Sequence, residues 1–260
     1  MDRLNSPTVF LAAEQMALDG LDEAIAVSQV SFSYPDCPDT LRDISFTLPP
    51  GERVGVIGPN GAGKTTLFML LCGLLRPITG QITLFEQPVR VGQFHPDIGL
   101  VFQNPDDQLL ASSVWDDVAF GPQNMGLSDQ EVEQRVSHAL ALTGMTALAS
   151  RPPHHLSGGE KRMVAIAGIL AMQPRVMIYD EPSANLDLRA RRRLIQFLQR
   201  SPQAMLISSH DLEFILEVCD RVLVIDGGQL VADGPAVDVM GQADWMESHG
   251  LEKPHSLTHR

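Results

Sequence analysis

Basic side chains, cysteines and aromatics are all scarce in this sequence. Lys and Arg total 19 against 32 Asp and Glu, for a formal net charge of −13. So acidic a surface repels phosphate backbones, which argues against broad nucleic-acid binding and leaves room only for a local basic patch. The three cysteines, Cys37, Cys72 and Cys219, are odd in number and widely separated. They offer neither a disulfide framework nor a zinc spacing, and point to a reducing, cytosolic compartment. No stretch approaches the ~20 apolar residues of a membrane span. The longest apolar run, Met163 to Met172, is about half that length and contains Gly168. The N-terminal residues lack both a clearly basic start and an apolar stretch long enough for a secretory signal. The expectation is therefore a protein that stays inside the cell and reaches a membrane only through a partner.

What is present is an ordinary globular balance. With 260 residues, 44% hydrophobic and 20% charged, the chain suits one domain or two closely joined lobes with a sizeable core. Residues 1–24 read as a poorly patterned tail. Two β-rich runs, Ile25–Tyr34 and 43–48, flank the turn-forming residues 35–39. A buried-type strand at Arg53–Ile57 leads into a glycine-rich turn and a helical stretch over 64–75. Short strands follow at 81–85, 98–102, Val176–Tyr179, Ala204–Ser208 and 222–225, the later ones alternating with helical patterns. That alternation predicts an α/β fold with a largely parallel sheet. The stretch from about 104 to 150 is mostly helical instead, with a capping-box start at Ser128–Glu131 and Val132, Val136, Ala139 and Leu140 on one face. It reads as a helical lobe inserted into the sheet-bearing one. The end of the chain, Gly227 onward, reads as short and polar, with a short C-terminal tail over 235–260.

Three segments carry chemistry. Gly58-Pro59-Asn60-Gly61-Ala62-Gly63-Lys64-Thr65 has the G-x-x-x-x-G-K-[ST] spacing between a strand and a helix. Glycines let successive N–H groups turn toward one anion, and the helix N-terminus adds a positive field. Lys64 is placed to reach the β- and γ-phosphates of a nucleotide, and the Thr65 hydroxyl to ligate Mg²⁺. The competing reading, a glycine turn capping an ordinary helix, needs this spacing and context to coincide by accident.

The second segment, Val176-Met177-Ile178-Tyr179, ends in Asp180 and Glu181. Carboxylates at the C-terminal end of a parallel strand lie where open α/β sheets bind ligands. Alone, the run reads as a buried strand ending in solvated acids. Beside the phosphate loop, Asp180 becomes a Mg²⁺ holder acting through water, and Glu181 the group that activates an attacking water. The third, Leu156-Ser157-Gly158-Gly159-Glu160, is explained as a capping box by helix stability alone, except that two glycines weaken a first turn. Bare N–H groups and a hydroxyl there form a second anion site. Two such helix ends with only one lysine-bearing loop suggest that the second serves a neighbouring copy.

In order and spacing, GPNGAGKTT (through Thr66), Gln103 in VFQNPDDQ, LSGGE, VMIYDE, Ser183-Ala184-Asn185-Leu186-Asp187 and SSHD resemble the ATP-binding cassette ATPases over about residues 25–234. The resemblance implies a P-loop NTPase fold of the ABC type: a mainly parallel core sheet, an antiparallel β subdomain and an inserted helical subdomain at about 104–172. It implies a head-to-tail dimer with two ATP molecules, each held by one P-loop and the opposite LSGGE. Gln103 matches the glutamine that senses Mg²⁺ and the attacking water, His210 the switch histidine that contacts the γ-phosphate, and Tyr34 the aromatic that stacks on adenine. Ser157, Gly158, Gly159 and Glu160 match the signature acting in trans, and Asp187 the interfacial-loop aspartate. Taken singly, Gln103 is a loop polar group, His210 a residue at a helix start and Tyr34 a strand-end packing residue. Asn185 stands where glycine is frequent in the family, Leu188 where proline often follows, and Tyr179 where an aliphatic is usual.

The stretches 101–109, 116–122 and 161–172 look like the ATPases of energy-coupling-factor importers, particularly those for cobalt and nickel. The partners then implied are ATP, a second copy or paralogous ATPase, and transmembrane scaffold and substrate-binding subunits, with this chain peripheral on the cytoplasmic face of the membrane. Asp106, Asp107, Asp116 and Asp117 are candidates to meet arginine-bearing coupling helices; the plainer reading is a solvated acidic loop. Arg189, Arg191, Arg192 and Arg193 read as a solvated helix face. His154, His155, His249, His255 and His259 lack a partnered metal spacing and read as surface residues. A soluble assembly ATPase of the iron–sulfur cluster type and a vitamin importer ATPase stand as alternatives.

Overall fold

A computed structural model of the chain describes residues 22–258. The tail expected over 1–24 lies mostly outside these residues, as does His259. Six strands form the main sheet, in the order β10-β9-β3-β8-β7-β6. They are β3 (Arg53–Ile57), β6 (Ile98–Val101), β7 (Val176–Tyr179), β8 (Ala204–Ser208), β9 (Arg221–Asp226) and β10 (Gln229–Pro235). All neighbours pair in parallel except β10, which returns antiparallel to β9. The parallel strands are apolar on both faces because both are covered. Val176 and Ile178 of β7 enter one core and Met177 and Tyr179 the other; Ala204 and Leu206 of β8 alternate likewise with Met205 and Ile207.

One face is covered by α1 (Lys64–Leu71) and by a second sheet of β1 (Ile25–Tyr34), β2 (Cys37–Leu48), β4 (Thr79–Leu84) and β5 (Gln87–Pro88), antiparallel throughout. β2 begins earlier than its hydrophobic pattern predicts. Tyr34 pairs with Cys37, so the hairpin turns on Pro35 and Asp36 alone and holds Tyr34 at the strand end. The helix expected over 64–75 stops at Leu71, where Gly73, at φ +69°, turns the chain away.

The opposite face is covered by α5 (Leu188–Arg200) and α6 (Leu212–Val218), together with α2 (Val114–Asn124), α3 (Asp129–Thr143) and α4 (Gly158–Leu170). These last three fall in the stretch expected to be helical, and its α-helices pack mutually. They are not set apart, however: α4 also packs on β6 and α5, and one continuous apolar cluster runs from Val132 and Val136 to Met177 and Tyr179. The end of the chain corrects the expectation of a polar tail. Residues 229–235 complete the sheet, and α7 (Ala236–Met240) and α8 (Ala243–Ser248) bury Met240 and Met246 completely against the same cluster. His249 is correspondingly not a surface group: its Nδ1 lies 2.8 Å from Asp226 Oδ2 and its ring packs on Trp245. No helix among the described residues is long and apolar enough to cross a membrane.

Candidate functional site

The strand order places the C-terminal ends of β3, β8 and β7 side by side, so the phosphate loop after β3, Asp180 and Glu181 after β7, and His210 after β8 leave the sheet together, whereas the Ser157 segment lies elsewhere, at the start of α4. After β3 the chain turns through residues 58–63 into α1. Gly58, at φ +151°, passes so close to β9 that a side chain would collide with the Ile225 carbonyl, so only glycine fits. Gly63, at φ +104°, is the residue from which α1 starts. Lys64 is buried and curls back over the loop, Nζ donating to the carbonyls of Gly58 at 2.8 Å and Pro59 at 3.0 Å. Burial pulls its pKa below the ordinary lysine value, and the nearby Glu181 and Asp180 oppose that pull. The loop is thus closed into a ring by the Lys64 ammonium.

Two strands away, Asp180 is drawn into the same ring. Thr65 Oγ1 donates to Asp180 Oδ2 at 2.7 Å, and Ser208 Oγ, from the end of the intervening β8, donates to Oδ1 at 2.6 Å. The Ser208 hydroxyl also accepts from the Glu181 N–H at 2.9 Å. Glu181 is held in the left-handed region at φ +48°, a conformation that costs a non-glycine residue about 1–3 kcal/mol and persists only where its surroundings enforce it. The turn aims its carboxylate at His210. Oε2 accepts from the His210 N–H at 3.1 Å, and Oε1, buried and without a hydrogen bond among the described residues, lies 3.5 Å from His210 Nε2. Thr65, Asp180, Ser208, Glu181 and His210 therefore form one continuous polar chain at the foot of the phosphate loop. A hydroxyl and a carboxylate already in contact suit a small oxygen-seeking dication such as Mg²⁺.

The structure places the other sequence candidates around this chain with different degrees of engagement. Tyr34 is partly exposed, edge-on to Phe32, with its hydroxyl 3.4 Å from Thr66 Oγ1, so an aromatic face stands at the entrance to α1. Asn60 and Gly61 lie at the exposed tip of the loop, and Ala62 is buried beneath it. Gln103 is exposed, and among the described residues no hydrogen bond links its side chain to Thr65 or Asp180. Its carbonyl, with that of Phe102, instead accepts from the guanidinium of Arg162 at 2.5 and 2.6 Å.

Arg162 is almost wholly buried, its pKa lowered by that burial, and it bolts the Gln103 segment to α4. In the sequence it falls unremarked within the family-like stretch 161–172; a cation in an otherwise apolar helix face is the available signal. Ser208 was missed likewise, inside the quoted SSHD. Ser157 caps α4 through a complete capping box with Glu160, whose carboxyl accepts from the Ser157 hydroxyl at 2.7 Å and N–H at 2.8 Å. Those bonds hold the Glu160 pKa below the usual carboxylate value. Among the described residues no hydrogen bond or ion pair ties Ser157 or Glu160 to the loop 58–66.

The two glycines of that segment separate. A Cβ on Gly159 would come within 2.6 Å of the Ala190 Cβ, so close helix packing explains it, whereas Gly158 faces open space. Asp187 is exposed and caps α5 by accepting from the Ala190 N–H at 2.7 Å. Asn185, in the position the family often gives to glycine, sits at φ +60°, which asparagine tolerates better than most side chains.

The four acids singled out beside Gln103 are mostly occupied locally. Asp106 pairs with Lys161 at 2.7 Å, Asp107 accepts from Asn104, and Asp116 accepts from Ser112 and Ser113. Asp117 accepts from the Leu110 and Ala111 N–H groups through Oδ1, and its Oδ2 is buried without a hydrogen-bond partner among the described residues. It borders an apolar groove of about 550 Å³ between α2 and α4, lined also by Phe94, Leu109, Phe120, Ile169 and Met172. Phe94 and Phe120 are more than half exposed.

A family profile described as "ABC transporter" matches residues 41–184. A protein of Synechocystis sp. is 59% identical over 234 residues, covering 90% of this chain and 82% of its own. The energy-coupling factor transporter ATP-binding protein EcfA of Methanothermobacter thermautotrophicus is 44% identical over 240 residues, covering 89% of this chain and 77% of its own. Among solved structures, cbiO1 from Clostridium perfringens, described as part of the ABC transporter complex cbiONQ, superposes with a TM-score of 0.78 at 34% identity, over 87% of this chain and 94% of that one. A phosphate loop joined through Thr65 to the acids that end β7 is what such a relationship requires of a nucleotide hydrolase, and the chain belongs to the ABC transporter ATPases.

Proposed function

We propose that this ATPase energises an importer of the energy-coupling-factor type, with cobalt or nickel ions as the cargo. The observation that carries the hydrolytic half is the unbroken contact from Thr65 through Asp180 and Ser208 to Glu181 and His210. In this reading ATP lies on residues 58–66 with adenine against Tyr34, and Lys64 turns from the loop carbonyls to the β- and γ-phosphates. Thr65, Asp180 (through water) and Gln103 would hold Mg²⁺, whose charge offsets that of the phosphates. Glu181 Oε1 takes a proton from a water whose oxygen attacks the γ-phosphorus; the bond to the β-phosphate oxygen breaks, and ADP and phosphate leave. His210 orients Glu181 and meets the γ-phosphate. Ser157, Gly158, Gly159, Glu160 and Asp187 act on the ATP of a second copy or a paralogous subunit, in a head-to-tail pair.

The groove beside Asp117 supports a membrane partner over a freely soluble assembly role. Its exposed phenylalanines and the acidic Asp117 at its border suit a short helix of a transmembrane scaffold that carries a cation among apolar residues. The chain is then peripheral on the cytoplasmic face. The likeness to EcfA and cbiO1 supports the transporter type, while the metal cargo rests on sequence resemblance. Purification with native membrane subunits, reconstitution in vesicles, and uptake of Co²⁺, Ni²⁺ and vitamins tests it: ATP-driven metal uptake is expected, and vitamin uptake alone or strictly soluble complexes overturn it. Glu181→Gln should bind ATP normally and turn over about 10²–10⁴-fold more slowly, the range for losing a general base; near-normal turnover removes the assignment.

A further inference from the structure

The arginine run at the start of α5 is not uniformly a solvated face. Arg191 turns inward, its side chain only 22% exposed, and Nε donates to Asp211 Oδ2 at 2.8 Å while Nη1 donates to Glu217 Oε1 at 2.8 Å. Its guanidinium also lies over the Phe214 ring. One cation on α5, one turn beyond Asp187, thus grips both ends of α6. Asp211 is the pivot: its Oδ1 accepts from the Phe214 N–H and caps α6, and its own N–H donates to Ser209 Oγ, which meets Ser183 Oγ at 3.0 Å. His210 is the residue between Ser209 and Asp211. A change in how Asp211 is held therefore moves the His210 backbone, whose N–H engages Glu181.

We propose that Arg191 is a positioning residue for His210, coupling the loop that ends at Asp187 to the Glu181–His210 pair. The inference rests on the hydrolytic roles given above to His210 and Glu181. A simple stabilising ion pair is the competing account, and its scale is small: partners as exposed as Asp211 and Glu217 contribute roughly 0–1 kcal/mol. A positioning role makes a different demand, because displacing a reacting group by about 1 Å can cost 10²-fold in rate with little change in binding. The planar fork matters as well, since lysine can meet one of the two carboxylates but not both with fixed geometry.

The test uses the full chain and steady-state ATP hydrolysis for wild type, Arg191→Met, Arg191→Lys, Glu217→Gln, His210→Ala and Arg191→Met/His210→Ala. Arg191→Met should lower kcat roughly ten- to a hundredfold, with KM for ATP within about twofold of wild type, and Arg191→Lys should restore only part of the loss. In the His210→Ala background, followed with radiolabelled ATP, Arg191→Met should cost nothing further, because residues acting through one another are not additive. Glu217→Gln, which retains the shape of the site, should give a milder loss of kcat that also vanishes without His210. Equal fold-losses in both backgrounds, or an unchanged kcat in Arg191→Met and Glu217→Gln, overturn the inference while leaving the role of His210 intact. Wild-type turnover in His210→Ala alone sinks the reading of His210 itself, and with it this one.

Discussion

Tyr179 shows how a single side chain can fit its space and misfit its polarity. Its ring is wholly buried at the end of β7, and its hydroxyl finds no hydrogen-bond partner among the described residues. Burial drives its pKa far above the ordinary phenol value, so the group stays neutral and idle at any physiological pH. An unsatisfied buried hydroxyl costs about 1–3 kcal/mol, whereas the ring supplies packing that an aliphatic side chain would not duplicate. Tyr179→Phe keeps the ring and removes the cost. It should raise the stability of the fold by about 1 kcal/mol, read as a higher urea midpoint at unchanged slope; a lower midpoint would show that the hydroxyl is bonded after all. Arg191 illustrates the opposite lesson. Its partners lie 20 and 26 residues away in sequence, so helical periodicity alone assigned it to solvent with its neighbours.

At the scale of elements, the two glycines at the start of α4 make separable demands. Adding a methyl at Gly159 drives it against Ala190 on α5, and overpacking of this kind costs roughly 1–3 kcal/mol. Gly159→Ala should therefore lower the melting temperature, and Ala190→Gly in the same chain should recover part of the loss. Gly158 has open space, so Gly158→Ala should stabilise the helix by up to about 1 kcal/mol. If that face meets the nucleotide of a second copy, the same change lowers turnover, and a variant both more stable and fully active would count against the trans reading. The strands β3, β7 and β8 were legible because parallel strands buried on both faces are apolar throughout. The phosphate loop was legible because all its requirements are local. The chain beyond Gly234 was not: α7 and α8 have five and six residues, too few for a 3.6-residue period to emerge, and acids interrupt their apolar positions. The Gln103 segment was legible as a motif but not as a structure, since its anchor, Arg162, is about sixty residues distant and charged, the last residue type composition places inside.

For the whole molecule, the decisive question is whether one chain can complete the reaction. Within the chain, the Lys64 ring and the Ser157 cap are each satisfied by their own elements, and no polar contact among the described residues joins them. If the second completes the first only across a symmetric pair, Lys64→Ala and a Ser157 variant should each be inactive as homodimers, for different reasons. Mixing them forms heterodimers in which one composite site combines both defects. The other pairs the intact phosphate loop of the Ser157 variant with the intact signature of the Lys64 variant. With equal amounts and random pairing, half the dimers are mixed and each holds one of two sites, so activity should return toward a quarter of wild type when the sites act independently, and below that when both must fire together. A mixture no more active than its components, at concentrations where wild type dimerises, would exclude a shared site that fires independently of its twin. Dilution supplies the independent check. Turnover per chain should fall as protomers separate, because a site shared between two chains is subject to mass action in a way that a self-contained site is not.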